Sequence, residues 1–208
     1  MEIAFIDHYD SFSFNLIDWI KGGSLPIRVR YVPFDVKSEM ERLLHRPIPL
    51  ILSPGPKSPA AAESSKNLVS QILGKVPVLG VCLGHQIIGE VLGFETVPSR
   101  NPLHGGVKQI RVRNKKGIFH DHPDQLEVAS YHSLALKKND SVQQNVRISA
   151  VCEHEEVMAI EQHYDSLANV IGVQFHPESF LGSDSSNLRL NWLNLLQRWS
   201  LLPASEDS

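Results

Sequence analysis

Val76-Pro77-Val78-Leu79-Gly80-Val81-Cys82-Leu83-Gly84-His85-Gln86-Ile87-Ile88-Gly89 decides the fold of this chain. Val76 to Val81 is an apolar run behind Gly74-Lys75, long enough for a buried strand and too short for a buried helix. From Leu83 the period changes. Leu83, Ile87, Ile88, Val91 and Leu92 fall on one helical face, and Gly93 supplies a C-terminal stop. Cys82 therefore sits on a sharp strand-to-helix turn, flanked two residues away on each side by Gly80 and Gly84. That is the cysteine form of the Gly-x-Ser-x-Gly nucleophile elbow. Side chains at the two glycines would crowd the neighbouring strand and helix. The helix from Leu83 would aim free N–H groups and its positive end at the sulfur, favouring thiolate, and the Leu83 N–H would suit an oxyanion. A small buried hydrophobe in an ordinary strand–turn–helix gives the same pattern, so this stretch alone leaves both readings open.

Working outward, the 208 residues, 42% hydrophobic and 21% charged, are ordinary for one soluble domain, expected over residues 1–200 with a frayed tail at 201–208. A net charge of -3 gives no support for nucleic acid or an anionic membrane as partner. Two cysteines form at most one disulfide, which favours a reduced compartment. A strand-like Glu2–Ile6 opens the chain and no run approaches about 18 apolar residues. Neither secretion nor membrane insertion is expected, and cytoplasm is the default.

Ile3–Ile6 reads as a first strand, and Ser11 as the cap of a helix carrying Phe12, Leu16, Trp19 and Ile20 before Gly22-Gly23. Ile27–Val32 is a half-buried strand, Asp35–His45 a helix and Pro49–Ser53 a buried strand; Pro59 opens a further helix to Gly74. This alternation predicts βαβ units and a parallel sheet. Ligands then lie beyond the carboxyl ends of the strands, where Asp7–Ser11, Ser53–Pro59 and Cys82 meet. After Gly93 the segments 107–112, 125–130, 147–152, 157–162 and 170–175 read as strands joined by turns, some antiparallel. A last helix from Ser185-Ser186 presents Leu188, Trp192, Leu195, Leu196 and Trp199.

Val170-Ile171-Gly172-Val173-Gln174-Phe175-His176-Pro177-Glu178-Ser179 is the second informative stretch. In extended backbone residues two apart share a face, so the Glu178 carboxylate can lie beside the His176 ring and fix its tautomer. His176 would then take a thiol proton and later protonate a leaving amine. Taken alone, this stretch is better read as a capped strand end with an exposed His and Glu.

Together the two stretches resemble the class I (triad) glutamine amidotransferases over about residues 3–198. The similarity is nearest to the glutaminase components of anthranilate and aminodeoxychorismate (para-aminobenzoate) synthases. It rests on Asp7–Phe12, Leu52–Pro56, Gly80–Gln86, His104-Gly105, Tyr131–Leu134 and Gly172–Ser179. The resemblance implies an α/β, flavodoxin-like fold: a mostly parallel central sheet flanked by helices, with added antiparallel strands in the second half. It implies glutamine hydrolysis by Cys82, His176 and Glu178 through a γ-glutamyl thioester. Gly55 and Leu83 would form the oxyanion hole, and Gly55, Gln86, Tyr131, His132 and Ser133 would hold glutamine. No metal or cofactor is expected in the chain. The implied partner is a chorismate-binding large subunit that carries Mg²⁺, docked over loops 7–11, 53–59 and 104–106.

Several residues depart from the family pattern. Lys57 stands where a small residue is usual and would be strained if that position required a positive φ. Lys108 falls in an altered His-Gly segment, Ser130 replaces an arginine and His8 an asparagine. His120–Asp124 reads as a polar loop, Cys152 as core, and Glu153–Glu156 as a solvated turn. The alternatives are a stand-alone cysteine hydrolase such as a γ-glutamyl hydrolase, and a non-catalytic regulatory subunit.

Overall fold

The computed structural model describes residues 1–167 and 169–202. Its strands are β1 (Glu2–Asp7), β2 (Arg28–Pro33), β3 (Leu50–Leu52), β4 (Val78–Val81), β5 (Glu95–Val112), β6 (Gln125–Lys137), β7 (Val146–Cys152), β8 (Val157–Gln162) and β9 (Val170–Val173). Its α-helices are α1 (Ser13–Lys21), α2 (Lys37–His45), α3 (Glu63–Ile72), α4 (Leu83–Val91) and α5 (Ser186–Ser200). The strands form one sheet in the order β2-β1-β3-β4-β9-β8-β6-β5-β7. β2, β1, β3, β4 and β9 run parallel, and the remaining pairings are antiparallel. This is the flavodoxin-like architecture with an antiparallel extension.

Period-two burial explains the layers. Ile3 and Phe5 of β1 join Leu16, Ile20, Trp192 and Leu196 in the core under α1 and α5. Ala4 and Ile6, on the opposite face, join Leu43, Leu68, Ile72 and Ile87 under α2, α3 and α4. With both faces covered, the central strands are buried throughout, as Leu50–Leu52, Val78–Val81 and Val170–Val173 are.

Several sequence expectations need correcting. Ser11 does not cap α1; the Asp10 carboxylate accepts the Phe12 N–H at 2.8 Å in an Asx-type turn, and the helix starts at Ser13. Pro59 opens a separate 3₁₀ turn, Pro59–Ala61, before α3 begins at Glu63. The strand expected at 107–112 is an 18-residue ribbon that starts at Glu95. Its register with β6 shifts between Pro98 and Leu103 and between His104 and Gly106. The residues that punctuate the sequence there sit at bulges rather than ending the strand. His122 in the expected polar loop is buried, as is Glu156 in the expected solvated turn. Trp199 is only half-buried, with Leu193 taking a place in the α5 core. Of the expected tail, Leu201 and Leu202 are exposed and 203–208 lie outside the described residues. Among the described residues no helix is long and apolar enough to cross a membrane.

Candidate active site

Cys82 joins β4 to α4 at φ 52°, ψ −103°, a region that costs a non-glycine residue about 1–3 kcal/mol. Its surroundings impose that geometry. The Cys82 N–H donates to Val173 O on β9 at 2.9 Å, and the Gln86 N–H closes the first turn of α4 on Cys82 O at 3.1 Å. A Cβ at Gly80 would lie 2.4 Å from Gly84 O, and one at Gly84 would lie 2.3 Å from Leu52 O. Only glycine lets β4, α4 and β3 approach this closely, as the elbow spacing predicts. Gly84→Ala should therefore destabilise the protein by about 3 kcal/mol or more. Helix propensity alone would have Ala stabilise by about 1 kcal/mol, so urea unfolding separates the two by sign.

β9 runs beside β4 in register Gly80↔Gly172 and Val81↔Val173, and so delivers His176 next to the elbow. The His176 N–H is anchored on Ala129 O at 3.1 Å. Its Nδ1 lies 2.7 Å from Glu178 Oε1, and the two side chains are 2% and 0% exposed. The carboxylate can only accept, so Nδ1 carries a proton and Nε2 is the nitrogen that Glu178 leaves unengaged. Tyr131 and Phe12 set edge-on contacts against the ring at 5.0 and 5.6 Å. Among the described residues Nε2 has no hydrogen-bond partner of normal geometry, as is common before substrate tightens a site. Burial pulls the His176 pKa down; the proximity of Cys82 and Glu178 outweighs it and raises it to about 10. The two neighbours thus favour the protonated ring over the neutral one.

The loop after β3 closes the other side. A Cβ on Gly55 would come within 2.6 Å of Leu83 Cδ2 and 2.8 Å of His8 Cβ, so Gly55 lies directly against the start of α4. That places two chain segments with backbone donors, Gly55 and Leu83, at one spot. His8 holds the loop: its N–H donates to Ser53 Oγ at 2.8 Å, while its ring contacts Ser53 Oγ at 3.2 Å and Ser65 Oγ at 3.0 Å. Burial lowers the His8 pKa to about 4, so the ring is neutral. Lys57 is not among the positive-φ residues, and its ammonium lies over the Phe34 ring at 5.7 Å. The strain that a positive φ would have imposed on it is therefore absent.

The remaining wall comes from β6. Tyr131 packs against His176. Ser133 faces the break in register between the pairs Leu103↔His132 and Pro98↔Leu134. His132 is buried; its Nδ1 contacts Leu134 O at 2.9 Å and its Nε2 lies 3.3 Å from the Lys108 ammonium. The ammonium donates only, so His132 is the neutral Nδ1–H tautomer. Burial and the Lys108 charge lower its pKa to about 4. Lys108 in turn lies 3.9 Å from buried Glu156, which also accepts from Ser99 Oγ at 3.0 Å and Arg100 N–H at 2.5 Å. Gln86, buried on α4, donates to Leu134 O at 3.2 Å and to Gln174 Oε1 at 3.0 Å. Ser130 is fully buried, its hydroxyl without a partner among the described residues. His104 is exposed on β5.

The structure thus brings Cys82, His176, Glu178, Gly55, Leu83, Gln86 and Tyr131 to one place. Residues 4–194 match the family model of the glutamine amidotransferases, class I. The chain belongs to that family. The amidotransferase is 36% identical to an anthranilate synthase component 2 of Pseudomonas aeruginosa, over 92% of this chain and 94% of that one. It is 37% identical to an aminodeoxychorismate synthase component 2 of Serratia marcescens, over 92% and 99%. It is 34% identical to a Bacillus subtilis protein named for both activities, over 94% and 97%. In fold it matches the crystal structure of a glutamine amidotransferase of Thermotoga maritima with a TM-score of 0.68 at 19% identity, over 97% of this chain and 86% of that one.

The sequence did not show that two further residues lie at this candidate site. Gln174 is a polar residue within the apolar run 170–175, and that contrast is its one sequence signal. Lys108 stands out in the sequence only as a departure from the family pattern after His104-Gly105, and nothing local marks its burial.

Proposed function

We propose that this chain is the glutaminase subunit of a chorismate-using synthase, with Cys82, His176 and Glu178 as its triad. The observation that carries the reading is the His176–Glu178 pair, dry and 2.7 Å apart, delivered by β9 beside a strained cysteine at a helix start. Cys82 attacks the side-chain amide carbon of L-glutamine, and the N–H groups of Leu83 and Gly55 receive the oxyanion. His176 gives its Nε2 proton to the leaving nitrogen, ammonia departs, and a γ-glutamyl thioester remains on the sulfur. His176, now neutral, takes a proton from water as it attacks the thioester; glutamate leaves and the sulfur is restored. Glu178 keeps the ring oriented throughout. The free Oε1 of Gln86, the Ser133 backbone and the walls formed by Tyr131 and His132 hold the amino-acid end of glutamine.

Ammonia must reach its acceptor before it is protonated and lost, so the large subunit covers the mouth of the site. Loops 7–11, 53–59 and 104–106 frame that mouth. Tyr9 and Phe180, 52% and 90% exposed, supply apolar surface at residues adjoining the site. The partner holds chorismate and Mg²⁺. Relatives named for anthranilate synthase, for aminodeoxychorismate synthase and for both support the class and not one member of it.

The test is product analysis of the complex between this chain and the large subunit that co-purifies with it, supplied with glutamine, chorismate and Mg²⁺. Anthranilate or, through aminodeoxychorismate, para-aminobenzoate is the expected product. Glutamine or peptide hydrolysis at full rate by the chain alone, with no chorismate-derived product, would instead establish a stand-alone hydrolase.

A further inference from the structure

Beyond the triad, one more side chain touches the reacting atom. Gln174 is fully buried, and its Nε2 lies 3.7 Å from Cys82 Sγ. Which end of an amide faces a neighbour is settled by what that neighbour can do. Leu134 O is a backbone carbonyl and only accepts, so the end of Gln86 that faces it at 3.2 Å is the NH₂. The second hydrogen of that NH₂ goes to Gln174 at 3.0 Å, which makes the facing atom of Gln174 its oxygen. The nitrogen of Gln174 is left pointing at the sulfur. The orientation is therefore transmitted from a main-chain carbonyl, through two amides, to the nucleophile.

We propose that Gln174 is a fourth catalytic side chain, donating an N–H to the Cys82 thiolate and stabilising it in the resting enzyme. A donor to an ionised sulfur is a charge-assisted bond, stronger than one between neutral groups. Nε2 of His176, without a partner among the described residues, stays available to the leaving nitrogen. The same polarity leaves Oε1 of Gln86 as the acceptor available to an ammonium group of the substrate. The proposal rests on Cys82 being the nucleophile.

The experiment is the pH profile of iodoacetamide alkylation at Cys82, read by peptide mass spectrometry on the full chain so that Cys152 is scored separately. Gln174→Met keeps the length and removes the donor; the half-reactive pH should rise by about one unit. Gln174→Glu still accepts from Gln86 but presents oxygen to sulfur, and should raise it further. Thermal midpoints show whether each variant is folded. A second measurement needs no variant: in the ¹⁵N-labelled protein the Gln174 side-chain amide signals should titrate with the same midpoint as alkylation. A Gln174→Met profile superimposed on that of the unaltered chain, or Gln174 amide signals indifferent to that titration, overturns the proposal. Both leave the nucleophile reading intact, because that reading fails only if Cys82→Ala keeps glutaminase activity.

Discussion

Cys82→Ala should lower glutamine-dependent ammonia production by at least about 10⁴-fold, with use of added ammonia by the complex unchanged. Alanine retains the Cβ, so the unusual backbone at φ 52° is no harder to hold than before, and the elbow contacts of Gly80 and Gly84 are untouched. One mostly buried sulfur is removed, which costs about 1 kcal/mol of packing. The variant should therefore fold and still bind its partner, so the loss reads chemistry and not structure. Residues that act as a unit are non-additive. Adding His176→Ala to Cys82→Ala should consequently lower the rate little further, although His176→Ala alone costs several orders of magnitude. Ammonia production with glutamine held above about one hundredth of the original rate in Cys82→Ala would mean that attack does not begin at this sulfur.

Acid should unfold the protein steeply, and the cause is three buried histidines. His8, His85 and His132 are held at about 4, 3 and 4, each chiefly by burial, against an ordinary value of 6.5. The folded state thus binds these protons less readily than the unfolded chain. Stability from the three is fully present above pH 6.5 and is lost as pH falls toward the folded values. Three protons give a limiting slope of about 4 kcal/mol per pH unit, at about 1.4 for each. Integrated to pH 4, each group costs up to about 3 kcal/mol, a sum comparable with the whole stability of a typical domain. Urea melts between pH 6.5 and 4.5 should show this slope, and His8→Asn should reduce it to about 2.7 kcal/mol per pH unit. Reading the slope rather than the midpoint separates proton linkage from any uniform loss caused by the substitution. A stability that stays flat over that range would mean these rings are charged in the folded protein.

What could be read in the sequence was what short-range geometry imposes. Gly80, Cys82 and Gly84 announce a turn too tight for side chains, and the contacts they make in the fold are as short as the spacing requires. His176 and Glu178 meet at 2.7 Å as expected, but across a turn closed by the Ser179 N–H on His176 O and not on extended backbone, because the strand ends at Val173. What escaped depends on which strand lies beside which. Lys108 becomes a buried cation only because β5 pairs with β6 and β7, bringing it to His132 and Glu156. Pro98 and Gly105-Gly106 argued locally against a strand, yet β5 runs through them because bulges absorb the punctuation. The Asp10 turn displaces the expected Ser11 cap: its carboxylate takes the Phe12 N–H and its carbonyl the Ser13 N–H, so α1 starts at Ser13.

The pairing of β4 with β9 has a consequence for how the molecule comes into being. Val78–Val81 is the strand that leads into Cys82, and its second neighbour is Val170–Val173, some ninety positions later. A ribosome that has released everything up to the end of β8 has made a chain in which β4 is still a bare apolar edge. Such an edge sticks to others like it, so prematurely terminated products should precipitate or be degraded rather than accumulate. They also lack His176 and Glu178, which follow β9. With the proposed triad, closing the sheet between β4 and β8 and completing the site around Cys82 are therefore one event.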